Sequence, residues 1–157
     1  MDNALLYQHH RARIKVVLSA LLKDRQFHLA ILGGIMVVAI LALLQLPTVQ
    51  TWLSPWLFIQ LVLIFPLLEE AVFRGLIQET IARRFNAHLG PLSHANIATS
   101  ILFVLAHLFN HPALWAIAIF IPSLIFGYFR ERYNHLLPPI LLHIIYNSCY
   151  FLILPLL

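Results

Sequence analysis

The chain has 157 residues, of which 61% are hydrophobic and only 10% charged, against about a quarter charged in a soluble globular domain. That balance excludes an ordinary soluble domain. Lys and Arg number 10 against 6 Asp and Glu, a net charge of +4, which would suit nucleic acid, but the distribution argues against nucleic acid as a partner. No Asp, Glu, Lys or Arg lies between Arg25 and Glu69, between Arg84 and Arg130, or from Tyr133 to Leu157, and gaps of that length match membrane crossings.

In chain order, the first predicted element is an amphipathic leader over residues 1–27. Ile14, Val17, Leu18, Leu21 and Leu22 share one helical face while Arg11, Lys15 and Lys23 lie elsewhere, as in a helix lying in an anionic membrane interface. A solvated N-terminal helix is the alternative. No cleavable signal peptide is expected, because the leader is basic and polar and the apolar run after it lacks a small-residue cleavage site.

Residues 28–157 are expected to form one helical bundle. A hydrocarbon core of about 30 Å takes roughly 20 helical residues, and Pro, Gly, Asn and His interruptions divide the apolar stretches into about five spans. The first runs from His28 to Leu46 and ends at Pro47 and Thr48, with Trp52 and Trp56 as interfacial anchors. The second begins near Trp52 to Trp56 and carries Leu61 to Leu68 into the acidic pair Glu69 and Glu70. The third covers Ser93 to Phe109, the fourth Ala113 to Phe129 and the fifth Leu136 to Leu154. The expected fold class is all-α, a polytopic transmembrane helix bundle with an N-terminal amphipathic interfacial helix.

All ten basic residues fall in the leader, between spans two and three, or between spans four and five. Since cytoplasmic loops carry the excess of Lys and Arg, the N-terminus is expected in the cytoplasm of a multi-pass integral membrane protein. The lone Cys149 permits neither an internal disulfide nor a thiolate zinc cluster.

Ionisable groups inside a membrane are costly and point to function. Glu70 and Arg74 are spaced i,i+4 and suit an ion pair, whereas Glu69 points about 100° away, free to face the bundle interior as a desolvated general base. The two acids would equally mark a helix end at the membrane surface. His107 closes the run from Phe103, where a structural histidine is the common case. His143 and Asn147, also i,i+4, form a donor pair suited to an oxyanion in a dry site, or to interhelical glue. His9, His10, His28, His88, His94, His111 and His135 fall at interfaces or in loops and read as solvated.

Taken in order, Glu69-Glu70-x-x-x-Arg74, Phe103-x-x-x-His107 and His143-x-x-x-Asn147 resemble the three motifs of the CAAX prenyl-processing endopeptidases, the CPBP or ABI family of intramembrane proteases. The resemblance reaches from about Pro66 to Cys149. It implies hydrolysis of a peptide bond in a membrane-associated protein or peptide, either CAAX-like processing or maturation of C-terminal sorting tails. By the family's pattern Glu69 and His107 activate a water, His143 and Asn147 form the oxyanion hole, and Glu70, Arg74 and Phe103 support the site. No cofactor is expected. A zinc ion on Glu69, His107 and His143 is the alternative, since three ligands would leave a fourth position for water. Five spans are few for the family, and the resemblance is to short bacterial members of the inner membrane. The oligomeric state stays open.

Two rival classes remain: a non-catalytic immunity or binding protein on the same fold, and a transporter or proton relay, the latter disfavoured by the lack of an inverted repeat. One geometric demand follows from the motifs. A second span ending at Val72 would leave Glu69 near one membrane face and His107 near the other, so the second helix is expected to run on to about Phe85, with Pro66 bending it.

Overall fold

Three side-chain caps set where the helices begin. Asp24 accepts the amide of Gln26 at 2.9 Å, Ser54 that of Leu57 at 3.2 Å and Ser93 that of Asn96 at 2.9 Å, each satisfying an orphan first-turn donor. In a computed structural model describing residues 3–44, 53–85 and 87–153, α1 spans Asn3–Leu21 and α2 spans Arg25–Leu43. Helix α3 runs unbroken over Pro55–Ala82, 28 residues, and meets the demand for a long second helix. A two-residue hairpin, His88–Leu89 against Leu92–Ser93, turns at Gly90, whose φ of 60° is the left-handed backbone that glycine adopts without strain. Helix α4 spans His94–His107.

The expected fourth span is two helices, α5 (Ala113–Ala118) and α6 (Phe120–Tyr133). The break at Ile119 lies one turn before Pro122, which has no amide to offer the Ala118 carbonyl. Asn134 ends α6 in the left-handed region at φ 45°, a usual place for asparagine. Helix α7 covers Leu137–Ile153 and opens on Pro138 and Pro139, where proline costs no hydrogen bond. The architecture is all-α apart from the short hairpin. The expected end of the first span at Pro47 and Thr48, and the anchor Trp52, lie outside the described residues.

Among the described residues three stretches, α2, α3 and α5 with α6, are long and apolar enough to cross a membrane. The other two expected spans, α4 and α7, have 14 and 17 residues, or about 21 and 26 Å at 1.5 Å per residue. Among the described residues both are apolar but shorter than the hydrocarbon core.

Besides a smaller apolar contact of Val38 and Ala42 with Cys149 and Tyr150, two seams hold the described part of the bundle. The apolar seam gathers Val17 and Leu21 of α1, Phe27 of α2, Phe126 and Phe129 of α6, and Leu142 of α7; Phe27 meets Phe129 edge to face at 5.3 Å. Only part of the apolar face read on α1 is covered, since Leu18 and Leu22 stay exposed while Val17 and Leu21, i,i+4 on that helix, touch the bundle. At one end of this seam Asp24 receives the Tyr133 hydroxyl at 2.7 Å and Arg132 Nε at 2.9 Å. Burial alone would raise the Asp24 carboxyl, but Tyr133, the Gln26 amide and Arg132 outweigh it and hold it below the ordinary 3.8. The second seam is polar and runs along α3.

Candidate active site

Helix α3 contains two π-helical stretches, Gln60–Ile64 and Ala71–Gln78, the kind of local widening that recurs at functional sites. Between them, about halfway along the helix, sit Glu69 and Glu70. Glu70 and Arg74 are fully buried, and Arg74 Nε donates to Glu70 Oε2 at 3.2 Å. A second guanidinium nitrogen donates to the Ser123 hydroxyl of α6 at 2.7 Å, and the guanidinium carbon lies 5.6 Å from the centre of the Phe103 ring. A buried charge needs such pairing.

Glu70 does more than balance Arg74. Its Oε1 lies 2.9 Å from Nδ1 of His143 on α7, and a carboxylate already holding a guanidinium only accepts, so the proton of that bond sits on Nδ1. The other ring nitrogen, Nε2, faces Glu69 Oε2 at 3.6 Å, too long for a direct hydrogen bond. Glu69 is the outward member of the acid pair, with its side chain 30% exposed against 0% for Glu70. The 100° offset between neighbouring helical positions therefore separates an enclosed acid from one left partly exposed. The His143 ring is also stacked on Phe126, with centroids 4.9 Å apart.

Helix α4 brings the second motif to the same place. The Phe103 ring stands between Phe73, at 4.9 Å, and His107, at 4.4 Å, and reaches His143 at 6.2 Å. His107 Nδ1 lies 2.9 Å from the Phe103 carbonyl. A carbonyl only accepts, so Nδ1 carries the proton and Nε2 keeps the lone pair, the form a base requires. On its far side His107 faces His111 at 5.8 Å, and His111 stacks on Trp115 at 4.2 Å. His111 is exposed, as expected of a loop residue, yet it belongs to this ring stack.

Asn147, one turn beyond His143, donates from Nδ2 to the Leu61 carbonyl at 2.8 Å. The reason is local to α3. In the first π-helical stretch the Phe65 amide bonds to Gln60, and the next residue, Pro66, has no amide, so the Leu61 carbonyl lacks a donor from its own helix. Asn147 supplies it, the arrangement by which membrane helices tolerate proline, and its amide keeps a second hydrogen.

The structure thus groups Glu69, Glu70, Arg74, Phe103, His107 and His143, with Asn147 adjoining through Leu61. Sequence reasoning missed Ser123, a solitary hydroxyl among the apolar residues from Ile117 to Phe126, and Gln78, which repeats the four-residue spacing of Glu70 and Arg74. Among the described residues no three His, Cys, Asp or Glu side chains are placed to hold a metal ion.

A family model for type II CAAX prenyl endopeptidase Rce1-like proteins matches residues 50–149, well over half the chain and all three motifs. The chain belongs to this family. Among curated proteins and among solved structures, none matches the chain. Membership makes it, at family level, a CAAX-type intramembrane endopeptidase that acts on membrane-associated proteins, and its three crossing-length helices fit an integral membrane protein. The match begins close to the start of α3, so α1 and α2 lie outside what the CAAX endopeptidase model covers.

Proposed function

We propose that the chain is a glutamate-type endopeptidase that hydrolyses a peptide bond within the membrane. The observation that carries this reading is the His143 ring held between two unlike carboxylates, enclosed Glu70 on Nδ1 and accessible Glu69 opposite Nε2. Glu69 and the lone pair on His107 Nε2 take the proton of a water as it attacks the scissile carbonyl. His143 Nε2, protonated, and the second hydrogen of the Asn147 amide stabilise the oxyanion that forms, where donors in a dry site are worth far more than in water. Glu70 and Arg74 keep His143 in register. The substrate is a membrane-associated protein or peptide tail, and a cytoplasmic N-terminus agrees with the basic loops.

The test is cleavage of a panel of membrane-tethered fluorogenic peptides by purified protein, with Glu69→Gln beside the wild type and a strong chelator in parallel. Loss of a general base costs on the order of 100-fold or more, so Glu69→Gln is expected to abolish turnover while chelation leaves it intact. Turnover lost to the chelator and restored by zinc would replace this mechanism with a metal-dependent one. A wild type inactive on every tail, with an unrelated function that survives Glu69→Gln, would favour the non-catalytic immunity reading.

A further inference from the structure

Beyond the three motifs, the polar seam continues from Arg74 toward the end of the bundle where the hairpin lies. Gln78, one turn past Arg74, is buried. Its Oε1 accepts from Arg74 Nη1 at 3.5 Å, and its Nε2 donates to the Gly127 carbonyl at 3.1 Å and to Glu131 Oε1 at 2.7 Å. The Ser93 hydroxyl donates to the same oxygen of Glu131 while capping α4 through the Asn96 amide. An unbroken hydrogen-bonded series therefore runs His143, Glu70, Arg74, Gln78, Glu131, Ser93, and it joins α7, α3, α6 and α4.

The chemistry of each group leaves one orientation. The guanidinium can only donate and an ionised carboxylate can only accept, so Gln78 must turn its oxygen to Arg74 and its amide nitrogen to Glu131. Glu131 is thus the terminal acceptor that orients Gln78, and Gln78 is a fixed acceptor for a guanidinium whose other hydrogen bonds among the described residues go to Glu70 and Ser123. An apolar seam of the same volume would hold the helices together at least as well, because buried ionic groups repay their desolvation poorly. What this series adds is direction: each member has a single arrangement, and the last member is the ring in the site.

We propose that Gln78 and Glu131 are positioning residues for the reaction at His143, acting through Arg74 and Glu70 to hold the proton on Nδ1 and to aim Nε2 at the reacting atoms. The proposal rests on the endopeptidase reading above. Neither residue touches the reacting atoms, and misplacement at a distance is enough to slow an oriented reaction substantially.

The experiment compares the full-length protein with Gln78→Leu and with the isosteric Glu131→Gln, in one detergent or nanodisc preparation. Turnover of the best tethered peptide is split into kcat and KM, and the side-chain nitrogens of 15N-labelled histidine are read by NMR, with His143→Gln identifying the His143 signals. The expected result is a kcat lower by about tenfold or more in Gln78→Leu and a smaller drop in Glu131→Gln. KM should stay within about twofold, and the His143 signals should move from one ring state, with Nδ1 protonated against Glu70, toward a mixture of ring states. Unchanged kcat in folded variants overturns the proposal, and so does a lower kcat with unmoved His143 signals, since the effect would not pass through that ring. If Gln78→Leu fails to fold, Glu131→Gln carries both readouts. A wild type that cleaves no peptide defeats the endopeptidase reading instead, and the NMR arm still tells whether the series governs the His143 proton.

Discussion

The two seams of the bundle are built on opposite principles. One is made of Val17, Leu21, Phe27, Phe126, Phe129 and Leu142; the other is a run of hydrogen bonds through Glu70, Arg74 and their partners. In a lipid environment apolar contacts between helices gain little from the hydrophobic effect, because the tails are as apolar as leucine. The apolar seam therefore holds by van der Waals fit and tolerates change, whereas the polar seam has no alternative partners in hydrocarbon and fixes one geometry. A site that depends on the direction of a single imidazole is found on the polar seam.

The largest expected effect is a break in the polar seam. Arg74→Met leaves Glu70 enclosed with only the His143 ring as its partner, and removing one member of a buried pair costs about 3–5 kcal/mol. Both the thermal unfolding midpoint in detergent and peptide cleavage should collapse, and a variant retaining either would refute the distinction between the seams. Next in size is Phe27→Ala in the apolar seam, where truncating a buried aromatic costs about 3 kcal/mol. Here the midpoint should fall while kcat, measured below the transition, stays near wild type. A matching fall in kcat would mean that the apolar seam also orients the site.

Gly127→Ala sharpens the comparison at the joint between α4 and α6. A Cβ at this glycine would clash with the Asn96 side-chain oxygen, and Asn96 is committed to the Leu124 carbonyl through Nδ2 at 2.9 Å. The helices must separate or Asn96 must leave that bond, for about 1–3 kcal/mol of overpacking, and kcat should drop because Gln78 loses its Gly127 contact. The double variant Gly127→Ala with Asn96→Ala should recover most of the unfolding midpoint; no recovery would place the clash elsewhere.

The smallest effect belongs to Asp24, outside both seams' interiors. Its carboxyl is held below 3.8 in the folded chain, so its contribution is complete above that value and is lost as pH falls through the lower, folded-state value. Asp24→Asn keeps an N-cap and should cost less than about 1 kcal/mol at pH 7. The acid side of its stability curve should flatten relative to wild type, and an unchanged acid limb in thermal unfolding between pH 5 and 3, taken as approximate bounds, would show that Asp24 does not set it.

Much of the fold was readable because charge in a membrane chain is rare and its gaps are long. The starts of α3 and α4 followed from Trp56, Ser93 and the apolar runs after them, and the need for a helix continuing past Val72 came from asking Glu69 and His107 to share one site. The internal division of the fourth span was not foreseen, although Pro122 signals it. The expected third span reaches Phe109 whereas α4 ends at His107, and the fifth, Leu136 to Leu154, matches α7 within a residue at each end. In the site, the pairing of Glu70 with Arg74 follows from spacing alone. The bond from Glu70 to His143 does not, since 73 residues separate them and spacing is informative only within one helix.

By itself, then, the order of residues determined that this chain is a helical membrane protein with three motifs in the order of the CAAX endopeptidases, because periodicity, charge gaps and i,i+4 spacing are local properties. Which of two adjacent acids is enclosed, which nitrogen of His143 meets it, and that Asn147 repairs the carbonyl left open by Pro66 were decided only by the tertiary structure. Each of these depends on which donors and acceptors from distant helices meet, and a buried polar group takes its state from those neighbours.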